Sequence, residues 1–398
     1  MKWLVVAAAV LLQLALGSIL GWSVLGPSLE ASYGLNGGQS GFIFGLYIAV
    51  FTLGSLIGGR LQEARGPRQT ALLGSLLAGG GWLVAAASGG SFPVLAAGIG
   101  VMTGLGNGFA YIGTLVACVR WFPASPGRAT GAAVVGTGAG AILHTAIAQH
   151  MLAQGYDVLV VFRSLGLLFG SVMFCCAALL VAPPGGAAVA RPKVPLARLL
   201  ATRHFWALTC ALFGSTFGAL IVMGHLKTIG LGAGQTDQAA ALAVAVYAAG
   251  NAAGRLGWGA VYDRLGRPAV LLSLAALLAG ILTLLAAASL PLFLVTAAWL
   301  GASFGATMVL YASDVAAVWG HDRVGSVYPV MYLAYGFAGI TGPGIGGWIR
   351  DHTGNYLLSI LLAAVIVAAG AVVYWLLTRP AAGAAPLPDP APQGDPAP

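Results

Sequence analysis

Apolar residues run along this chain in stretches close to the roughly 20 residues a helix needs to cross a bilayer core, separated by short polar or charged intervals. The pattern predicts twelve membrane helices, over 3–27, 40–62, 69–88, 92–119, 128–152, 159–182, 204–226, 238–262, 268–288, 291–316, 324–349 and 356–378. The separation is thinnest between 268–288 and 291–316, where Ser289, Leu290 and Pro291 alone mark the turn. The first run is long and weakly flanked, and Trp22–Ser23 near its end is no small-residue cleavage site, so it is expected to be the first span and not a signal peptide. The longest internal polar segment, PPGGAAVARPKVPLARLLATR at 183–203, divides the runs six and six. The expected organisation is therefore an all-α membrane protein of 12 transmembrane helices in two pseudo-symmetric six-helix bundles. Its parts are a bundle over 1–182, a loop over 183–203, a bundle over 204–379, and a Pro/Ala-rich tail over 380–398 expected to be disordered.

Composition sharpens the class. Charged residues make up 7% of 398 and hydrophobic residues 59%, with a mean hydropathy of +0.91, far from soluble globular usage. The formal charge of +8 does not point to nucleic acid, because the basic residues lie in short loops between helices. Arg65, Arg68, Arg120, Arg128, Arg203, Arg264, Arg267 and Arg323 gather on one side, and only Arg163, Lys227 and Arg350 fall on the other. The positive-inside rule then puts the basic side and both termini in the cytoplasm. Cys118, Cys175, Cys176 and Cys210 lie inside or at the ends of apolar runs and read as buried thiols, with no metal or disulfide pattern.

The halves resemble each other. Gly59, Glu63 and Gly66 after the second run are repeated at Gly259, Asp263 and Gly266 after the eighth, with the same spacing. Together with the six-plus-six division, this resembles the major facilitator superfamily, whose Gly-x-x-x-Asp-Arg-x-Gly loop 259–266 matches fully; the first copy departs from it at Glu63 and Ala64. Three further stretches resemble the monocarboxylate transporters and the related oxalate/formate antiporters. They are Gly21 to Pro27; Arg120-Trp121-Phe122-Pro123 followed by Gly127-Arg128-Ala129-Thr130-Gly131; and Gly342-Pro343 through Asp351, Thr353, Gly354 and Tyr356. The resemblance implies a bacterial inner-membrane carrier whose two halves rock about a site near the midplane.

One charge stands out. Arg255 lies 8 residues before Asp263, on the order of 12 Å into the membrane at helical rise. A guanidinium does not deprotonate in practice, and at a helix centre it costs roughly 2.5–3.5 kcal/mol on the lenient insertion scales. No carboxylate stands one turn away; the residue four positions earlier is Asn251. The expected partner is the carboxylate of the cargo, and the rival is a structural pairing with Asp314 or with a helix C-terminus. Animal monocarboxylate transporters carry Asp-x-x-x-Arg here, so the resemblance sets Arg255 on their substrate-holding arginine and Asn251 on their proton-coupling aspartate. An amide cannot titrate. One fixed positive charge suits one carboxylate; a second anionic group would be buried without a partner.

Counting residues gives depth. Tyr111 lies 9 residues before Arg120, Tyr311 lies 10 before His321, and Tyr332 and Tyr335 come 9 and 12 after Arg323. These tyrosines and Arg255 are expected roughly 12–18 Å from the basic boundary. Phenols donate to carboxylate oxygens while their rings pack a short aliphatic tail, and Asn251 is placed to read a 2-hydroxyl or 2-keto group. Asp314, expected to form a capping or gate pair with Arg323 or Arg128, and His144 and His225 are the candidates for proton coupling or gating. Each tyrosine also has a packing reading, and each histidine a hydrogen-bonded one.

The expected function is movement of a small monocarboxylate of the lactate or pyruvate kind, together with a proton. The alternatives are carboxylate exchange and a transporter-like carboxylate sensor. An enzyme is disfavoured, because the runs hold no paired carboxylates, metal-ligand cluster or His-Glu-x-x-His pattern. The partners expected are the anion, the proton and the bilayer, with no cofactor and no obligate protein partner.

Overall fold

The computed structural model describes residues 1–17, 22–35, 37–183 and 195–379. The predicted tail 380–398 and most of the predicted loop, including Arg191 and Lys193, lie outside the described residues. Those described are built of helices, as lipid demands: with no water to satisfy the backbone, each N–H and C=O must bond within its own segment.

The helices follow the predicted order. The first span comprises Lys2–Leu16 and Trp22–Tyr33. The second and third form one assigned helix, Gly37–Ala86, reversed at Gly66, whose φ of 82° is open to glycine and leads into Pro67. The fourth to sixth end in Gly104–Trp121, Pro126–Ala153 and Val158–Ala178. The second half contains Arg203–Gly232, Asp237–Leu265, Pro268–Leu284, a tenth span ending at Trp319, Val324–Thr353 and Leu357–Thr378. Among the described residues, eight helices are long and apolar enough to cross a membrane, the double Gln39–Ala86 counted once.

Two departures from regular helix were not legible in the hydrophobic pattern. The fourth span carries a π-helical stretch, Ala96–Thr103, where Thr103 donates to the carbonyls of Gly98 and Ala78. The tenth is interrupted by a 3₁₀ turn, Ala306–Met308, between Leu290–Gly305 and Leu310–Trp319. Each resets which residues face the interior. The predicted loop also holds a short helix, Leu196–Leu200.

The halves meet along the fifth and eighth spans and along the second and eleventh. At the end bearing the basic loops the contact is tight. The Asp263 carboxylate accepts the backbone N–H groups of Gly127 and Arg128, at 2.8 and 3.0 Å, and lies 3.6 Å from the Arg128 side chain. It thereby caps the N-terminus of a helix in the other half, where four N–H groups lack intrahelical partners. Arg120 reaches Asp322 at 3.9 Å, His321 donates to the Pro123 carbonyl, and Gly59 packs on Gly325. Contact continues to mid-depth, where Gly138 meets Ala252 and Gly339 meets Ile48. Beyond that level Gly41 and Gly45, on the same helix face as Thr52, look into open space. The molecule is closed at its basic end.

Asp263→Ala removes the cross-bundle cap. Loss of such a cap costs about 1 kcal/mol, a roughly fivefold shift toward separation of the basic ends, read as longer distances between spin labels placed across them. Acid acts in the same direction through His321. Burial holds its imidazole below the ordinary value of 6.5, against the pull of Asp322, and its Nδ1 is buried without a partner. As pH falls below 6.5 the solvated imidazole of the separated state takes up a proton that the closed state refuses, so closure weakens. The same label pairs should widen with acidification in the wild type, and less so in His321→Gln.

Candidate functional site

Arg255 lies midway along the contact between the fifth and eighth spans, buried to 6% exposure. One helical turn back, the Asn251 carbonyl oxygen accepts from its Nε at 3.1 Å, which the four-residue spacing makes possible. The Asn251 amide nitrogen donates to the Gly301 carbonyl of the tenth span at 3.3 Å. Both ends of that side chain are thus engaged within the second half, and Asn251 positions the guanidinium. The Nη1 of Arg255 crosses to the first half and donates to the Val134 carbonyl. Two of five N–H donors are accounted for in this way. Among the described residues no carboxylate stands within ion-pair distance of Arg255.

Around the guanidinium stands an aromatic wall. Tyr111, Tyr328, Tyr332 and Tyr335 all lie within its electrostatic reach. Tyr332 stacks on Tyr335 at 4.6 Å, on Tyr328 at 5.2 Å and on Tyr111 at 5.6 Å. The hydroxyls of Tyr111 and Tyr328 are 3.1 Å apart. Tyr332 and Tyr111 otherwise donate to the Met308 sulfur, at 3.5 and 3.9 Å, a weak acceptor. Phe51 packs against both rings, and Tyr47 beside it accepts from Asn107 at 2.8 Å. The site is rich in donors and holds no fixed negative charge among the described residues.

A sequence model of the major facilitator superfamily matches residues 11–236 and 226–396. The chain belongs to the major facilitator superfamily. Human monocarboxylate transporter 11 is 28% identical to it, over 95% of this chain and 83% of its own length. The oxalate:formate antiporter of Oxalobacter formigenes is 23% identical, over 95% and 92%. The solved fucose:proton symporter of Escherichia coli has a TM-score of 0.72 over 95% of this chain and 98% of its own, at 15% identity, which is a likeness of fold. This superfamily member is a multi-pass membrane transporter and not an enzyme.

The structure of this transporter brings together Arg255, Asn251, Tyr111, Tyr332 and Tyr335, as expected from depth and spacing. It does not bring Tyr311 to them: that hydroxyl pairs with Ser215 of the seventh span at 3.2 Å. Depth was right and facing was wrong, because the 3₁₀ turn at Ala306–Met308 presents Met308 to the tyrosines instead. Asp314 pairs with neither Arg323 nor Arg128, Arg128 being taken by Asp263. Its buried carboxylate instead binds His204 at 2.7 Å and Tyr262 at 2.8 Å, with Arg267 at 3.9 Å. This cluster ties the basic ends of the seventh, eighth and tenth spans, and it removes the rival partner for Arg255.

His144 and His225 stand inside separate halves. His144 bonds the Gly140 carbonyl at 2.6 Å and lies against Phe169. His225 bonds the Pro343 carbonyl at 2.9 Å and the Tyr356 hydroxyl at 3.1 Å. Neither touches the Arg255 cluster. Tyr328 was missed, because it lies only 5 residues after Arg323 and counts as shallow. The available signal was its helical register with Tyr332 and Tyr335, one and two turns on.

Arg255→Ala should abolish carboxylate binding, and Arg255→Lys should retain the charge but lose the fork and its bonds to Asn251 and Val134. Asn251→Ala should weaken binding of every acid roughly tenfold, the worth of about one charge-assisted hydrogen bond, with no change in preference among acids. Calorimetric titration of the detergent-solubilised protein checks all three.

Proposed function

We propose that this transporter carries a small monocarboxylate by alternating access, with Arg255 as its anchor. The observation that carries this reading is the buried guanidinium, set between the halves, with spare donors and no protein carboxylate near it among the described residues. The cargo's carboxylate supplies the missing charge and takes up a bidentate place on the fork. The tyrosine wall donates to its oxygens and covers its carbon tail, with Met308 filling the space between rings. The named monocarboxylate and oxalate:formate relatives support a carboxylate cargo. One cation favours a single carboxylate over a dicarboxylate. The basic loops support cytoplasmic placement of the closed end and of both termini.

Coupling follows from charge. A short acid with a carboxyl pKa near 3.9 is only about one part in a thousand neutral at pH 7, so the anion needs a carrier, and a proton moving in the same direction keeps the loaded step electroneutral. A second reading is exchange of one carboxylate for another. It is favoured by the neutral Asn251 beside Arg255 and by the placement of His144 and His225 inside separate halves. Proteoliposomes separate the two. Under symport, lactate entry into empty vesicles alkalinises the outside medium; under exchange, uptake requires a preloaded carboxylate and leaves external pH unchanged. Uptake of sugars with no response to any carboxylate would defeat both.

A further inference from the structure

The eighth span places a third polar side chain on the ladder that holds Arg255. Tyr247, Asn251 and Arg255 follow at four-residue intervals, so they share one face of the helix at successive turns. All three are buried, Tyr247 to 3% exposure. Asn251 and Arg255 are bonded to each other and to neighbouring helices. The Tyr247 hydroxyl is shielded from solvent and has no hydrogen-bond partner among the described residues. It is within electrostatic reach of both Arg255 and Tyr335.

An orphaned phenol there calls for an explanation, because buried polar groups in native structures are nearly always paired. Among the described residues, the other unpartnered buried hydroxyls belong to Thr216 and Thr296. A threonine oxygen on a helix is one rotamer away from a carbonyl of its own preceding turn. A phenol is carried beyond its ring and has no such recourse. Its partner must come from another helix or from a ligand, and two positions along the same ladder stands the cation proposed to take the cargo's carboxylate. Asn251, the expected reader of a second oxygen on the cargo, has both side-chain atoms committed elsewhere.

We propose that the Tyr247 hydroxyl reads a second, uncharged oxygen of the cargo, so that the transported class is keto- or hydroxy-substituted monocarboxylates in preference to their unsubstituted parents. This rests on the reading of Arg255 as the carboxylate anchor. A site that offers a buried donor rejects an analogue lacking the matching oxygen, because the donor is then left unpaired. The same residue gains nothing from the hydroxyl while the carrier is empty.

The test is Tyr247→Phe, which keeps the ring and deletes the oxygen. Binding is measured for matched pairs: pyruvate and lactate against propionate, and 3-hydroxybutyrate against butyrate. In the wild type the oxygenated acid of at least one pair should bind more tightly than its parent. In Tyr247→Phe that ratio should fall about tenfold, the worth of roughly one hydrogen bond left unmade in a buried site. The thermal midpoint of the empty protein should be unchanged or higher, since no bond in that state is lost. An equal change across each pair, or a clear drop in the midpoint of the empty protein, overturns the inference while leaving Arg255 as the anchor. A wild type that binds none of these acids removes the anchor reading and this inference with it.

Discussion

Burying Arg255 is a costly local choice in this fold, and the surrounding structure is arranged to tolerate it without neutralising it. A fixed cation at mid-membrane depth would ordinarily be matched by an acid on a neighbouring helix. The nearest candidate, Asp314, is held by His204, Tyr262 and Arg267 in a separate cluster. What Arg255 receives is neutral: the Asn251 amide oxygen and the Val134 carbonyl. Neutral acceptors orient a guanidinium but leave its charge uncompensated, and an uncompensated buried charge attracts an anion strongly at low effective dielectric.

The tyrosines extend the same imbalance. Tyr111 and Tyr332 turn hydroxyls toward a thioether sulfur, and Tyr111 and Tyr328 share one bond between them. Such phenols are kept dry and incompletely satisfied, and their rings stack within 4.6–5.6 Å and so hold one another in place. A weak acceptor is easily given up. Oxygen atoms of a bound acid improve on sulfur as partners, so the aromatic wall favours ligand without first breaking strong bonds of its own. Preorganised donors of this kind lower the ordering cost of binding.

Much of this was legible from residue order, and the reason is geometric. Helical rise converts sequence distance into depth, so counting from Asp263, Arg120 and Arg323 put Arg255, Tyr111, Tyr332 and Tyr335 at one level. Rarity did the rest for Arg255, since charge inside an apolar run has few benign explanations. Facing was not legible. Tyr311 has the right depth but turns to Ser215, because a 3₁₀ turn upstream breaks the regular register of its helix. Ion-pair partners were not legible either: Asp314 found His204 and Arg267, and Arg128 found Asp263, which depends on which helix ends converge.

The proposed cargo site and the closed end are carried by the same two helices, which on that reading joins binding to movement. Val134 and the Gly127–Arg128 pair stand about two turns apart on the fifth span; Arg255 and Asp263 stand two turns apart on the eighth. The two spans are therefore fastened at two heights, by Arg255 on the Val134 carbonyl and by Asp263 on the capped helix end. On the proposed reading, an anion seated on the spare donors draws the guanidinium toward itself and away from the Val134 carbonyl. The upper fastening then weakens while the lower one is untouched, and separation of the basic ends meets one attachment in place of two. Because the partner that gives way on this reading is a backbone carbonyl and not a carboxylate, a charged oxygen outbids a neutral one for the cation without a proton leaving a protein acid.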